Sequence, residues 1–393
     1  MYKIIFIYIL IELKKNMNFK FWLIFISISV VSFSQTKIND ISLQKEVEHS
    51  IQNGLNWLEK NQEDDGSWNH YPAITSLVIK AFLESPKNYT EENNVSVERG
   101  IQFILSCQKE NGGIYVDDLA GYNTAICIIA LVATKNPEYA DEIQRARDFL
   151  ISLQWNKDNG YDENNILFGG IGYGEKEKPD LSNLQWAIEA LKESENYRKV
   201  SESSGKVQEV SKNKIEISKS IASSELFWDN ALIFISRCQN NIETNSLSKN
   251  NDGGFIYSPS ESKAENYTSY GSMTYAGMKS MLYANLQKGD KRIEAAYNWI
   301  KNNFTFEENP NMKNQGLYYY YHTMAKSLSA FGEDEIIDSK NISHNWRNEI
   351  LQKLISLQNG EGYWVNENNR WWENQKVLVT AYSIIAMEFA MLK

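Results

Sequence analysis

Apolar residues recur along this chain at helical intervals, and their coverage changes from one segment to the next. Val47, Ile51, Leu55 and Leu58 follow one another at steps of four, four and three, which makes a single stripe that must find a partner on one side. In Ile126-Cys127-Ile128-Ile129-Ala130-Leu131-Val132 the apolar residues point in nearly every direction, as they do in a helix covered on most sides. One-sided and all-round helices alternate. The second kind is expected over 74–83, 124–132, 184–191, 273–282, 324–331 and 377–391. An inner ring of second helices inside an outer ring of first helices satisfies both kinds of coverage.

The alternation is carried by a repeat: an apolar-periodic helix ending in Gln, a short polar turn, then Gly with an aromatic residue. The copies run from Gln62 to Gly66-Ser67-Trp68, from Gln108 to Gly113-Ile114-Tyr115, from Gln154 to Gly160-Tyr161, and from Gln239 to Gly254-Phe255. A weaker fifth copy has Asn303 in place of Gln and reaches Gly316-Leu317-Tyr318; the last runs from Gln358 to Gly362-Tyr363-Trp364. The first three Gln positions are spaced by 46 residues and later spacings lengthen, so each copy is a unit with loop insertions. Six helical hairpins predict an all-α fold, an (α/α)6 toroid. In this reading Gln caps backbone groups at a helix end and the aromatic packs on a neighbouring helix. Residues 198–224, with eight Ser and no aromatic, read as a solvated insertion between units three and four.

Composition adds three constraints. With 393 residues, 42% hydrophobic and 12% aromatic, the chain can bury a large core, read here as one domain over 35–393. The formal charge of −10 becomes −13 without residues 1–34, and so acidic a surface excludes a nucleic-acid partner. Lys14, Lys15 and Lys20 precede an apolar run from Phe21 to Val31, and Ser32-Phe33-Ser34 supplies the small residues of a cleavage site. Residues 1–34 therefore read as a signal peptide, opened by Met1 or by Met17, with cleavage before Gln35. The mature protein is expected to be secreted or periplasmic, without a transmembrane span. Cys107, Cys127 and Cys238 lie in apolar helical contexts and read as buried free thiols; spacing leaves a Cys107–Cys127 bridge open. No metal-ligand spacing appears, and no cofactor is expected.

The sixfold pattern of helix, Gln, turn, Gly and aromatic resembles the QW repeat of squalene and oxidosqualene cyclases and the related repeat of protein prenyltransferase β subunits. The resemblance spans nearly the whole mature chain and implies the toroid. It also implies where the family's chemistry would sit. Cyclases of this kind protonate an alkene from an Asp-x-Asp-Asp motif, whose counterpart here is Asp180-Leu181-Ser182-Asn183. Asp180 matches the first Asp, but Ser182 stands at the acid, and a hydroxyl cannot protonate an alkene. Asp180 also reads as the N-cap of a helix. Prenyltransferases hold zinc through Asp, Cys and His. Tyr321-His322-Thr323 is similar to their His segment, whereas Tyr270-Gly271-Ser272 replaces the Asp-Gly-Cys, and one His does not hold zinc.

Inner helices that start at one end of a ring bring their first residues to a common hollow, the default site. The binding candidates are Tyr122, Asn123, Asn183, Gln185, Ser272, Tyr275, Tyr319, Tyr321, Trp371, Trp372 and Asn374; His322, Tyr270 and Asp180 are the catalytic candidates. His322 reads as a structural histidine or as an acid–base group. Rings and neutral hydrogen-bonders suit an apolar chain with a polar end, or a sugar stacked on aromatics. Two other readings stay open: an enzyme, either a terpene cyclase or isomerase with a non-standard acid or a glycan lyase or hydrolase, and a scaffold binding proteins on its outer ring.

Overall fold

Six helical hairpins follow one another around a circle. In chain order the outer and inner helices of each pair are α1 (Ile41–Lys60) and α2 (Pro72–Leu83), α3 (Val95–Ser106) and α4 (Ala120–Ala133), and α5 (Ala140–Ser152) and α6 (Leu181–Glu193). The second half has α7 (226–237) and α8 (Gly271–Tyr283), α9 (Lys291–Asn303) and α10 (Leu317–Phe331), and α11 (Trp346–Leu357) and α12 (Lys376–Met391). The structure is a computed structural model that describes residues 41–197 and 226–391. The expected signal peptide and the whole of the serine-rich insertion, 198–224, fall outside them. Each inner helix packs on the next, α2 on α4 and onward to α12, and α12 packs on α2, so the ring closes. A two-stranded hairpin, β1 (Glu335–Ile337) with β2 (Ser343–Asn345), joins α10 to α11.

The alternation of coverage is observed as expected. In α1 the buried set contains Val47, Ile51, Leu55 and Leu58, while in α4 every residue from Asn123 to Leu131 is buried. α10 starts at Leu317 rather than at 324, because its tyrosine run is helical, with Tyr318, Tyr320 and Tyr321 buried on different sides.

The repeated Gln does more than cap its own helix. Gln62 Nε2 donates to the carbonyl of Gly66 in its own turn and to that of Ser96 in the next outer helix, each at 2.8 Å. Gln108 does the same to Gly112 and Glu142, Gln154 to Gly169 and Phe227, and Gln239 to Gly253 and Arg292. Gln358 closes the circle, donating to Gly362 and to Ser50 of α1 and accepting from the Ser50 hydroxyl at 2.7 Å. The amide is therefore a staple between consecutive units. Asn303 is too short for this and bonds only Trp299 of its own helix.

The stapled glycines all have positive φ, and a methyl group on any of them would collide with a carbonyl of the next outer helix. This corrects the third copy. Its working glycine is Gly169 (φ +86°), against the Asn230 carbonyl, whereas Gly160 (φ +81°) has nothing within 4 Å. The intervening loop is an insertion in which Tyr161 stacks on Trp155 at 4.0 Å. In copies two and four likewise the staple falls on Gly112 and Gly253, one residue before the glycine expected. Gly316, in the fifth, is the left-handed N-cap of α10. Cys107, Cys127 and Cys238 are free and buried, and the Cys107–Cys127 bridge is not formed. No helix among the described residues is long and apolar enough to cross a membrane.

Candidate functional site

Each inner helix leaves its first amides without intrahelical partners at the same end of the ring, and the following unit supplies most of the acceptors. Asn123 Oδ1 accepts from Ala73 N, the Tyr173 carbonyl from Gly121 N, and the Tyr257 carbonyl from Leu181 N. Asn309 Oδ1 takes Ser272 N, and Glu373 Oε1 takes Tyr319 N at 2.7 Å. These contacts hold the inner-helix starts around a cavity of about 270 Å3.

The cavity is walled by Tyr122, Tyr173, Tyr257, Tyr270, Tyr319 and Tyr382, with Ser182, Ser272, Met273, Leu119 and Leu378 between them; Trp186 lies in its floor and Trp371 and Trp372 at its rim. Two hydroxyl bridges cross the interior, Ser182 to Tyr319 at 3.2 Å and Tyr122 to Tyr382 at 3.4 Å. Burial pushes the phenols of Tyr122, Tyr257, Tyr270, Tyr319 and Tyr382 upward, so they present O–H donors. Trp371 and Trp372 both have left-handed backbones (φ 55° and 64°) and stay 41% and 48% exposed, with Trp372 edge-on to Tyr71 of the first unit. Left-handed tryptophans are strained, and such strain gathers at ligand sites.

Of the candidates read from the sequence, Tyr122, Tyr270, Ser272, Tyr319, Trp371 and Trp372 line this cavity. The others do not. Asn123 caps α2, and Asn183 donates its amide to Asp180 at 2.6 Å. Gln185 is buried behind Tyr319, to which it donates. Tyr275 packs edge-on to Tyr320, and Tyr321 reaches the Phe306 carbonyl instead. Asn374 is exposed outside the lining. Asp180 is the N-cap of α6, accepting from Asn183 N at 2.9 Å, and it also bonds the hydroxyl of Tyr257. Burial drives its carboxyl up to about 6 against the bonds from Asn183 and Tyr257 that pull it down.

His322 is 1% exposed, directly beneath the cavity, with its ring 5.3 Å from Trp186 and 5.0 Å from Tyr382. Burial and the nearby Lys326 ammonium hold it far below its usual range, so it is neutral; neither ring nitrogen has a partner. A layer deeper, Glu189 of α6 pairs with Lys279 of α8 and Lys326 of α10, all three side chains at most 1% exposed. Burial lowers Lys279 to about 8 although Glu189 supports its charge, which leaves it protonated at neutral pH.

Sequence reading missed Trp186 and Tyr382, each one turn past a residue that faces the hollow, Ser182 and Leu378; that i, i+4 step was the available sign. Tyr173 and Tyr257 come from irregular loops and carry no periodic sign. Glu373 was also missed. It is 1% exposed, takes the first-turn amides of α10, and is raised by burial to about 7. A larger open groove of about 510 Å3 lies near α7, but its basic groups are already engaged, Arg237 by the carbonyls of Glu163 and Asn165 and Arg292 by Asp290. Among the described residues no group of three or more His, Cys, Asp or Glu could hold a metal ion.

A closed ring of six hairpins around one aromatic cavity defines an α/α toroid of the terpenoid-cyclase type. The chain matches no established protein-family profile. It is similar to the type II terpene cyclase MstE from Scytonema in its apo form, with a TM-score of 0.53 and 12% identity over 88% of this chain and 99% of that one. A variant of MstE in complex with geranylgeranyl dihydroxybenzoate gives a TM-score of 0.52 and 11% identity over 90% and 99%. In sequence, a curated relative, alpha-onocerin synthase LCD of Lycopodium clavatum, is 31% identical over 132 residues, which is 28% of this chain and 17% of the relative's length. These likenesses bear out the terpenoid-cyclase-like toroid that the repeats implied.

Proposed function

We propose that the mature chain acts outside the cytosol, where it binds an apolar chain of isoprenoid or acyl type in the central cavity. One observation carries this: the lining is rings, short aliphatics and hydroxyls, with no charged side chain among them. None of the amides that would have served a sugar, on Asn123, Asn183 and Gln185, lines the cavity, and their NH2 groups donate to Tyr71 and the carbonyls of Asp118 and Leu119, to Asp180 and to Tyr319, which weakens the glycan reading. Export is supported by residues 14–34 of the sequence.

The test is binding of farnesol and geranylgeraniol, followed by tryptophan fluorescence and by native mass spectrometry of the purified protein. Saturable quenching that weakens in Trp372→Ala is expected. No saturable binding of either alcohol, together with empty lipid extracts, would remove the reading.

A second reading, proton-initiated cyclisation or isomerisation of such a ligand, is favoured by the buried Asp180 carboxyl behind Tyr257, poised to exchange a proton near pH 6. Product formation that vanishes in Asp180→Asn while ligand binding persists would support it. Product formation unchanged in that variant would exclude Asp180 as the acid.

A further inference from the structure

Asp180, Tyr257 and Tyr173 stand in a row behind and within the cavity wall, each bonded to the next. Asp180, 2% exposed, accepts from Asn183 N at 2.9 Å and from Asn183 Nδ2 at 2.6 Å, and the hydroxyl of Tyr257 reaches the same carboxyl. Tyr173 comes next: its hydroxyl bonds that of Tyr257 on one side and the Asn183 amide on the other. The backbone pins both rings, the Tyr257 carbonyl accepting from Leu181 N at 2.8 Å and the Tyr173 carbonyl from Gly121 N at 2.7 Å. Tyr173 and Tyr257 line the cavity, and Asp180 does not. The other hydroxyl bridges in the wall, Ser182 with Tyr319 and Tyr122 with Tyr382, join neutral groups only.

The direction of the row follows from its protons. An ionised carboxylate only accepts. Tyr257 then donates to Asp180, Tyr173 to Tyr257 and Asn183 to Tyr173, so every proton is turned away from the cavity and oxygen lone pairs face it. A protonated carboxyl has one proton to give. Asn183 turns its Nδ2, a donor, toward that carboxyl, which leaves the Tyr257 oxygen as the acceptor. Tyr257 passes its own proton on to Tyr173, and the hydroxyl at the end of the row donates into the cavity. Burial, opposed by the bonds from Asn183 and Tyr257, sets the exchange near pH 6. The groups that face Asp180 do not titrate there: the phenols of Tyr173, Tyr257, Tyr270 and Tyr319 and the Cys238 thiol are all pushed upward, and Lys263, whose ammonium favours the charged form, is paired with Glu261 at 2.5 Å.

We propose that Tyr173 and Tyr257 are the subsite for the oxygen at the polar end of the ligand, and that Asp180 behind them sets the sense of its hydrogen bond. With Asp180 charged the subsite accepts, which suits an alcohol, whose O–H donates, and not an ether or a ketone. With Asp180 neutral the subsite donates, and all three are accommodated. At neutral pH the matching ligand is therefore an isoprenoid or acyl alcohol. This names the head of the ligand and rests on the apolar-chain reading.

The test is a matched series, farnesol, farnesyl methyl ether and farnesene, titrated into the full-length purified protein at about pH 7.5 and pH 5. At the higher pH the alcohol should bind about fivefold more tightly than the ether, as one hydrogen bond provides, and at the lower pH the ether should tighten until the difference closes. Farnesene has no oxygen and should bind equally at both, which separates this effect from other titrations in the range, that of Glu373 included. Asp180→Asn stays neutral while still accepting from Asn183 N, and it should show the small low-pH difference at both values. Tyr257→Phe should remove the discrimination together with its pH dependence, and it decides the matter with the unaltered protein if Asp180→Asn does not fold. Saturable farnesol binding with the alcohol no tighter than the ether, or a difference that is the same at both pH values or survives in Tyr257→Phe, overturns the subsite and leaves the apolar-chain reading standing. Binding of none of the three removes both.

Discussion

Replacing Gly169 and Gly160 by alanine, one at a time, separates the turn that holds two units together from one that only looks as if it does. Both glycines have φ near +80°, where alanine costs about 1–2 kcal/mol from backbone strain alone. At Gly160 nothing lies within 4 Å of the new methyl, so strain is the whole expected effect. At Gly169 the methyl overlaps the Asn230 carbonyl of α7, and the turn can accept it only by moving away from unit four. That movement breaks the bonds from Gln154 to Gly169 and Phe227 (3.1 and 2.9 Å) and from Gly169 N to Trp155 (2.7 Å). At about 1 kcal/mol each, with strain added, the loss is about 4–5 kcal/mol. Urea unfolding followed by circular dichroism at constant m-value measures both. Equal losses for the two variants would refute the assignment of Gly169 as the stapled glycine.

The other predictions follow the same logic of named partners. Gln358→Ala, which removes two hydrogen bonds across the joint between the last and first units and one within its own turn, should cost about 2–4 kcal/mol in urea unfolding, and Asn303→Ala no more than about 1; similar values would show that the amide acts only on its own helix. Glu373 rises from 4.5 to about 7 in the folded protein, so the folded state holds an extra proton between those values and stability falls as pH increases through that window. Glu373→Gln keeps an acceptor for Tyr319 N, and its melting temperature should fall less from pH 5 to pH 8 than that of the unaltered protein; parallel curves would show that Glu373 does not titrate there. Cys127 and Cys238, buried with thiols pushed upward, should resist iodoacetamide until urea unfolds the ring, and rapid labelling of the native protein would contradict their packing.

The ring was legible because its two signs are local. Coverage by apolar residues distinguishes Val47-Ile51-Leu55-Leu58 from Ile126–Val132 without knowledge of any neighbour, and the Gln-to-Gly repeat counts the units. What the Gln does was not legible, because its second acceptor belongs to another unit: nothing near Gln62 announces Ser96. The cavity was half legible for a similar reason. Residues at helix starts were found when their side chains point inward, as with Tyr122 and Ser272, and misplaced when they turn to cap a neighbour, as with Asn123 and Asn183. A better sign went unused. Lys80, Glu189, Lys279 and Lys326 are charged residues at similar depth in otherwise apolar helices, a pattern that ordinary burial disfavours unless the charges meet.

Closure by Gln358 and Ser50 fixes the bore of the molecule. A row of repeats with free ends can lengthen by another unit and keep its curvature, but a circuit of six cannot admit a seventh without a wider radius and a new packing angle at every joint. Hairpin number is therefore unavailable as a means of reshaping the hollow, and variation is left to the connections that arrive at its open end. Two have been extended, after Gln154 and after Gln239, and those two connections deliver Tyr173 and Tyr257 to the wall. Changes in what the cavity accepts should accumulate in these stretches first, while the hairpins behind them stay nearly the same.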